Sequence, residues 1–124
     1  MRSLKVLVVD DNTINQRVAI GLLRALGHNG VVVGDGQKAL KCLEAMQFDV
    51  VLMDVMMPVM DGMQALAAIR AKEAGTGTHL PVLMVTAHVE PGDVARFKLA
   101  GADGYVAKPL DMQQLQDECL RVLS

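Results

Sequence analysis

Apolar runs and segments of helical periodicity alternate from one end of the chain to the other. The run Leu4–Val9 is almost continuously apolar, as expected for a strand buried on both faces of a sheet. In Thr13–Leu26, apolar residues instead recur every three or four positions, which indicates an amphipathic helix. This alternation is typical of an α/β fold with a parallel sheet. The five predicted strands are Leu4–Val9, Val31–Val33, Asp49–Met53, Leu80–Val85 and Tyr105–Ala107.

A predicted helix follows each of these strands, with Gly, Pro and Asp residues at the boundaries. The first helix is expected to end at a cap formed by Gly27. The last is expected to begin at an N-cap, Asp111, with Gln114 completing a capping box. The other predicted helices are Gly36–Met46, Met63–Ala74 and Pro91–Ala100. The apolar positions expected to form the inner helix faces are Ile14, Val18, Leu22, Leu26, Leu40, Leu43, Leu66, Ile69, Met112, Leu115, Cys119 and Val122.

The composition narrows the class of protein. The chain has 124 residues, of which 52% are hydrophobic, so a single domain over residues 1–124 with a substantial core is expected. A net charge of -2 without a long basic run does not fit a nucleic-acid-binding protein. No apolar run is long enough to span a bilayer, and Met1–Val9 lacks the length and cleavage site of a signal peptide. A cytoplasmic location without membrane or nucleic-acid partners is the expectation.

The two cysteines, Cys42 and Cys119, have neither the spacing of a metal site nor that of a redox pair. Both are predicted to be small buried residues on helices that lie on opposite faces of the sheet. A disulfide between them is therefore not expected, because it needs Cα atoms within about 7 Å.

Polar side chains stand where four of the predicted strands end. Asp10 and Asp11 follow the first strand, Asp54 the third, Thr86 the fourth and Lys108 the fifth. Taken singly, an acidic pair at a strand end is more often an N-cap with a solvated charge, and Asp54 alone is ambiguous because Asp commonly starts turns. In an open α/β sheet, however, the ligand crevice lies outside the carboxyl ends of the strands. Clustered carboxylates favour a hard cation such as Mg²⁺, and the set predicts phosphoryl chemistry.

These residues and their neighbours resemble the receiver domain of two-component response regulators. The resemblance covers essentially all 124 residues and implies the CheY-like fold, a flavodoxin-like, doubly wound, three-layer αβα arrangement whose five parallel strands have the order 2-1-3-4-5. The motifs that carry it are Val8–Asn12, Met53–Asp54, Met57–Pro58, Met60–Gly62, Thr86–Ala87, Gly101–Tyr105 and Lys108–Pro109.

The resemblance also implies roles for individual residues. Asp54 would be the nucleophile that takes a phosphoryl group from a phosphohistidine. Asp11 would bind Mg²⁺ directly, Asp10 directly or through water, and Asp54 with the backbone carbonyl of Met56 would complete the protein ligands; Mn²⁺ is the alternative ion. Lys108 would neutralise a second phosphoryl oxygen, and its peptide bond to Pro109 would be cis. The protein would not be a turnover enzyme, because it forms and hydrolyses the phosphate on its own side chain.

In the resembled family, Thr86 donates a hydrogen bond to the phosphoryl group, and the aromatic at the Tyr105 position turns inward behind it. The surface of the fourth helix, fifth strand and fifth helix would then change. The competing interpretation of Tyr105 is a tyrosine at the edge of the core, and that of Lys108 a solvated lysine. Met56 and His88 would flank the phosphorylation site, His88 either positioning a water or facing solvent.

Asn12 and Asn15 are similar to residues of receivers attached to hybrid histidine kinases or serving phosphorelays. The partner would be a histidine kinase or a histidine phosphotransfer domain docked on the first helix, where Asn15 and Arg17 could contact it. A solvated helix face is the competing interpretation. The cognate kinase, the downstream target and any attached domain are not indicated by the sequence.

Three other functions share parts of the pattern. A phosphatase of the haloacid dehalogenase type needs an Asp-x-Asp-x-Thr motif after the first strand, from which the run Asp10–Thr13 departs. A flavin-binding module needs a Gly-, Ser- or Thr-rich phosphate loop there, whereas two acids would repel phosphate. A pseudo-receiver without phosphorylation chemistry is disfavoured because Asp10, Asp11, Asp54, Thr86 and Lys108 are all present.

Overall fold

The computed structural model describes residues 3–57, 59–87 and 89–123, so that Pro58 and His88 lie outside the described residues. Strands and helices alternate strictly within these ranges, as predicted. The elements are β1 (Lys5–Val9), α1 (Thr13–Ala25), β2 (Asn29–Val33), α2 (Gly36–Ala45), β3 (Val50–Asp54), α3 (Gly62–Glu73), β4 (Val82–Thr86), α4 (Pro91–Ala100), β5 (Gly104–Ala107) and α5 (Met112–Leu123).

The five strands form one parallel sheet of order β2-β1-β3-β4-β5, which confirms the predicted topology. Helices cover both faces. Ala19 and Leu23 of α1 pack with Leu115 and Cys119 of α5 in one buried cluster. The second cluster, on the other face, contains residues of α2, α3 and α4, including Phe97. A central strand such as β3 is therefore buried along its whole length.

The predicted inner faces of α1 and α5 are wrong in their first turns. Ile14 is 71% exposed and Met112 is 44% exposed, whereas Leu23 and Leu115 are fully buried. The first turns of both helices lie at the carboxyl edge of the sheet, where the strands have ended and no sheet surface remains to cover them. Val18, one turn further along α1, is still 44% exposed. Helical periodicity identified the helices correctly, but it did not show how far each apolar stripe overlaps the sheet.

The ends of the helices follow sequence signals, although not all of those predicted. Gly27 has a φ of 85° and ends the segment of α1, as expected. Asp111 accepts a hydrogen bond from the backbone of Gln114 at 2.9 Å. The Gln114 side chain, however, accepts from the backbone of Ala107 at 3.3 Å instead of returning to Asp111, so the predicted capping box is only half formed. A complete capping box starts α3 at Asp61, which the sequence reading did not anticipate.

Both cysteines are free thiols, as predicted. Cys119 is buried, and burial raises the pKa of its thiol to about 11. Cys42 is only partly buried, so the expectation of two buried cysteines is wrong for it. α2 is short and lies at one margin of the sheet, which leaves part of its surface in contact with water. Across 3–57, 59–87 and 89–123, none of the helices combines the length and the apolar character needed to cross a bilayer.

Candidate functional site

The carboxyl edge of the sheet gathers the polar residues that the sequence singles out. Asp10 directly follows β1, and Lys108 directly follows β5. Asp54 and Thr86 are the last residues of β3 and β4, one position earlier than a reading of strand ends alone suggests. The parallel register aligns these ends, since Asp54 pairs with Val85 in the neighbouring strand. All four strand ends therefore contribute to one crevice.

Three carboxylates converge at the centre of this edge. Asp10, Asp11 and Asp54 each offer one oxygen within 4.8 Å of the others. Asp10 and Asp54 are buried, with 6% and 4% of their surface exposed, whereas Asp11 faces solvent. Carboxylates this close repel one another unless a positive charge lies between or beside them. The sequence prediction that these three residues meet is confirmed.

Lys108 brings a positive charge to the cluster. Its Nζ lies 2.9 Å from Oδ1 of Asp54 and 3.9 Å from Oδ2 of Asp10. The backbone N–H of Lys108 donates to the Thr86 carbonyl at 2.8 Å, which fixes the base of the side chain at the strand end. The peptide bond between Lys108 and Pro109 is cis, as the resemblance implied. The interpretation of Lys108 as a solvated lysine does not fit these contacts.

The electrostatic state of Asp54 reflects burial before all else. Burial raises the pKa of its carboxyl above the ordinary value, and the neighbouring charge of Asp10 adds to the increase. The hydrogen bond and charge of Lys108, with a hydrogen bond from the backbone of Met56, oppose that rise in pKa without cancelling it. The ionised form of Asp54 is thus less favourable here than in water, so a further cation at the cluster would stabilise it.

The donor set fits a small hard cation. Carboxylate oxygens are the protein ligands that Mg²⁺ prefers, and Mg²⁺ commonly keeps several waters besides one or two carboxylates. The cluster supplies two buried carboxylates and one that opens to solvent, which leaves room for waters or for a ligand oxygen. Lys108 contacts Asp54 through a single oxygen and does not neutralise the whole cluster. The residues present therefore fit a Mg²⁺ site.

Thr86 and Tyr105 lie on the same face of two neighbouring strands. Met84 pairs with Tyr105 in the parallel register, and Thr86 pairs with Ala107. Because alternate residues of a strand face the same side, Thr86 and Tyr105 are diagonal neighbours on one face. Thr86 is buried at the crevice, and Tyr105 packs half-buried against the second cluster. This arrangement joins the crevice to the face that α4 covers.

The loop between β3 and α3 is held against the end of β3. The backbone N–H of Gly62 donates to the Val55 carbonyl at 3.0 Å, which folds the start of α3 back against β3. A Cβ atom at Gly62 would collide with the backbone carbonyl of Asp54. Among the described non-glycine residues, Val59 alone has a positive φ, at 69°. A β-branched residue is strained in that conformation.

Replacing Val59 by asparagine is expected to raise the free energy of unfolding by about 1 kcal/mol, because asparagine tolerates the left-handed region at lower cost. Val59 is 78% exposed, so the change removes little buried apolar surface. Urea unfolding of the wild type and Val59→Asn measures the difference. The matched control is Val89→Asn, an exposed valine without a positive φ, for which no gain is expected. Equal effects of the two changes would contradict the interpretation.

Two hydrogen bonds in the turn after β1, which contains Asp10 and Asp11, were not anticipated from the sequence. The backbone N–H of Asn12 donates to Oδ1 of Asp10 at 2.9 Å. The side-chain amide of Gln16, on the first turns of α1, donates to the backbone carbonyl of Asp10 at 2.6 Å. Asn12 also caps α1, accepting from the backbone of Asn15 at 3.0 Å. No signal of the contact between Gln16 and the Asp10 carbonyl is present in the sequence, because the path of the turn between these two residues sets their distance.

A family model described as the response regulator receiver domain matches residues 6–119 of the chain. The sensor protein GacS of Pseudomonas syringae pv. syringae is 40% identical over 121 residues, covering 97% of this chain and 13% of that protein. The hybrid signal transduction histidine kinase I of Dictyostelium discoideum is 39% identical over 118 residues, covering 91% of this chain and 7% of that protein. The chain thus spans a small fraction of the length of these two relatives.

Solved structures show the same likeness. The receiver domain of the sensor histidine kinase PA1611 from Pseudomonas aeruginosa PAO1, with a magnesium ion coordinated in its active-site cleft, superposes with a TM-score of 0.86 at 36% identity, covering 98% of each chain. The chemotaxis response regulator CheY4 of Vibrio cholerae superposes with a TM-score of 0.86 at 33% identity, covering 98% of this chain and 100% of that one.

Proposed function

Since this chain belongs to the response regulator receiver family, we propose that Asp54 accepts a phosphoryl group from a phosphohistidine in a two-component or phosphorelay pathway. The observation that carries the proposal is the contact of the buried Asp54 carboxylate with Lys108 inside a cluster of three acids. An aspartate that merely starts a solvated turn would not require burial, a lysine contact and two further carboxylates. Receivers are signalling modules and not turnover enzymes, and the proposal concerns the chain's own aspartate.

The proposed step is a transfer between nitrogen and oxygen. A carboxylate oxygen of Asp54 attacks the phosphorus of the phosphohistidine, and the new O–P bond forms as the N–P bond breaks. The electron pair of the broken bond stays on the imidazole nitrogen, which takes up a proton from solvent. Lys108 faces the developing negative charge on the phosphoryl oxygens, and Thr86 donates a hydrogen bond to another of them. Hydrolysis returns Asp54 to its free carboxylate. A water oxygen attacks phosphorus, the bond between phosphorus and the Asp54 oxygen breaks, and inorganic phosphate leaves.

The proposed metal ligands are the carboxylates of Asp10, Asp11 and Asp54 with the backbone carbonyl of Met56, Asp10 binding directly or through water. When bound, Mg²⁺ supplies charge neutralisation for the oxygens of the transferred group. The convergence of the three carboxylates supports this ligand set. Met56 adjoins the site, since its backbone hydrogen-bonds to Asp54, and its side chain is 75% exposed at the entrance. Mn²⁺ as an alternative ion stays a prediction.

The proposed partner, a histidine kinase or histidine phosphotransfer domain, docks on α1 beside the crevice. Ile14 and Val18 expose apolar surface on that helix. Val18 also lines a groove of about 110 Å³ that continues along Pro109 and Leu110 to Lys108. An apolar helix face next to the phosphorylation site suits a helical partner, with Asn15 and Arg17 as polar contacts. A helix face that only meets solvent would not require two exposed apolar side chains, Ile14 and Val18, one turn apart.

Several parts of the sequence reading stay predictions. They are the extent of a single receiver domain over residues 1–124, the cytoplasmic location and the absence of a nucleic-acid partner. The expected place of His88 beside the phosphorylation site also stays a prediction, since that residue lies outside the described ranges. The proposed switch joins Thr86, Tyr105 and the surface of α4, β5 and α5, and the shared face of Thr86 and Tyr105 supports it.

Mass spectrometry after incubation with acetyl phosphate and Mg²⁺ tests the proposed function. One added phosphoryl group on the peptide that contains Asp54 is expected, and removal of Mg²⁺ with a chelator should suppress it. A folded protein that gains no phosphoryl group, or gains it on another peptide, would contradict the proposal. The protein with inorganic phosphate in place of acetyl phosphate is the control, because inorganic phosphate lacks an activated leaving group.

Replacing Lys108 by alanine is expected to leave the domain folded and partly able to accept a phosphoryl group. The conformational change that phosphorylation is proposed to cause at Thr86 and Tyr105 should, however, be lost. The reason is that the phosphoryl group loses one of its two proposed side-chain anchors. Amide hydrogen exchange across residues 86–110, with and without phosphorylation, measures the outcome. Lys72→Ala is the matched control, because Lys72 pairs with Glu44 at 2.7 Å on the exposed surface of α2 and α3. A wild-type response in Lys108→Ala would remove Lys108 from the switch.

A further inference from the structure

We propose that Gln16 is a positioning residue for the metal site, acting through the backbone on either side of Asp11. This inference rests on the proposed function, because it assumes that Asp11 is a ligand of Mg²⁺. It starts from a property of Asp11 itself. Within the described part of the chain, no hydrogen bond or ion pair is found for the Asp11 carboxylate, which is solvent-exposed. Its position therefore depends on the backbone that carries it.

The sheet holds the backbone only as far as Asp10. The N–H of Asp10 donates to the carbonyl of Val33 at 3.1 Å, and Val33 is the last residue of β2. Beyond this point β2 has ended, so the next backbone group along the chain, the carbonyl of Asp10, needs a partner from elsewhere. The Gln16 side chain provides it, with its Nε2 donating to the Asp10 carbonyl at 2.6 Å. α1 thereby replaces the missing strand.

The two peptide groups that flank Asp11 are both fixed in this way. The peptide between Asp10 and Asp11 is held at its carbonyl by Gln16, and the peptide between Asp11 and Asn12 is held at its N–H by Oδ1 of Asp10. With both peptide planes fixed, the Cα–Cβ bond of Asp11 keeps one direction, toward the other two carboxylates. Loss of the Gln16 contact frees the first plane to rotate, and the third carboxylate of the cluster then moves with it.

The glutamine side chain suits this task by its reach and its chemistry. The backbone N–H of Gln16 donates to the backbone carbonyl of Asn12, the N-cap of α1, at 3.0 Å, so Gln16 itself is held in the helix. Its primary amide then reaches back past Asn12 to Asp10. Methionine has a similar length but offers no donor, and glutamate at neutral pH would place an acceptor against the carbonyl oxygen. Partners of this kind that orient a metal ligand typically change metal affinity by 10- to 100-fold when removed.

The experiment is titration of the metal-free domain with Mg²⁺ by calorimetry, for the wild type, Gln16→Met, Gln16→Glu and the control Gln113→Met. Gln113 on α5 also donates its side-chain amide, to Asp117 at 2.8 Å, but it lies on the exposed surface away from the cluster. We expect Gln16→Met to weaken Mg²⁺ binding by roughly tenfold and the control to stay within twofold. At saturating Mg²⁺, the yield of phosphorylation by acetyl phosphate should return to the wild-type level.

Gln16→Glu separates positioning from charge. An added negative charge alone would tighten Mg²⁺ binding, whereas displacement of the Asp11 backbone weakens it, and weakening is expected. Thermal unfolding without Mg²⁺ checks that each variant is folded. A folded Gln16→Met with Mg²⁺ affinity within twofold of the wild type, or a Gln16→Glu that binds more tightly, would overturn the inference about Gln16 alone. Failure of the wild type to bind Mg²⁺ would instead overturn the proposed metal site and this inference with it.

Discussion

Replacing Asp54 by asparagine is expected to abolish phosphorylation by acetyl phosphate, with a loss of at least about a thousandfold in rate, because the nucleophile of the proposed transfer is removed. A carboxamide oxygen carries no charge and is a poor nucleophile, and the cluster also loses one of three carboxylates. Mass spectrometry of the variant after incubation with acetyl phosphate and Mg²⁺ measures the outcome. Labelling at the wild-type rate would contradict the assignment of Asp54.

The loss of labelling should not come from unfolding. In the folded protein the pKa of Asp54 is raised above its usual value, chiefly by burial, so this carboxyl favours the folded state when it is protonated. This contribution of Asp54 to the free energy of unfolding is fully present below the pKa that its carboxyl has in the unfolded chain. It is lost as the pH rises through the raised pKa of the folded protein. At neutral pH the neutral asparagine should therefore be at least as stable as the ionised aspartate. Thermal unfolding at pH 7 and at pH 4 should show the advantage of Asp54→Asn shrinking in acid.

Replacing Gly62 by alanine is expected to lower the free energy of unfolding by about 3 kcal/mol, the upper end of the usual cost of overpacking. The added Cβ would collide with the backbone carbonyl of Asp54, and a central strand cannot move aside as a flexible side chain would. Because the colliding atom belongs to Asp54, the proposed phosphoacceptor, labelling by acetyl phosphate should also fall in the fraction that still folds. Urea unfolding, followed by labelling under native conditions, measures both effects.

Gly21→Ala is the matched control for the substitution at Gly62. Gly21 lies in the exposed middle of α1, and a Cβ there has no neighbouring atom within 4 Å. The same chemical change should therefore raise the free energy of unfolding by about 0.5–1 kcal/mol, because alanine loses less backbone entropy in a helix. Opposite signs at the two glycines are the expected result. A loss of stability at both positions would indicate that the close approach at Gly62 is not the cause.

The sequence pattern was sufficient to predict an α/β fold with a parallel sheet and most of the candidate site, whereas the strand order 2-1-3-4-5 was implied by the resemblance to receiver domains. The strand ends carry the polar residues, and parallel strands bring their carboxyl ends to one edge, so Asp10, Asp54 and Lys108 were expected at the same edge of the sheet. Periodicity also identified the buried face of α3, where Leu66 and Ile69 are buried as predicted. These inferences needed only local pattern and the general geometry of an α/β sheet.

What the sequence left open depends on distances across turns. The exposure of Ile14 follows from where α1 starts relative to the end of the sheet, which periodicity does not encode. The contact of Gln16 with the Asp10 carbonyl and the positive φ of Val59 depend on the path of two loops. Gln114, predicted to return to its own N-cap, reaches Ala107 of β5 instead, because that strand end offers a backbone donor close by. Such partners become identifiable only once the chain is folded in three dimensions.

The aliphatic core has an optical consequence. The chain contains no tryptophan and a single tyrosine, Tyr105, which packs half-buried against the second cluster. Near-ultraviolet absorption and intrinsic emission of the unlabelled protein therefore arise almost wholly from one side chain, on the strand face shared with Thr86. Because of this composition, the fluorescence of the domain reports on one residue. A spectral change on adding a phosphodonor would locate the response at Tyr105 without any engineered probe.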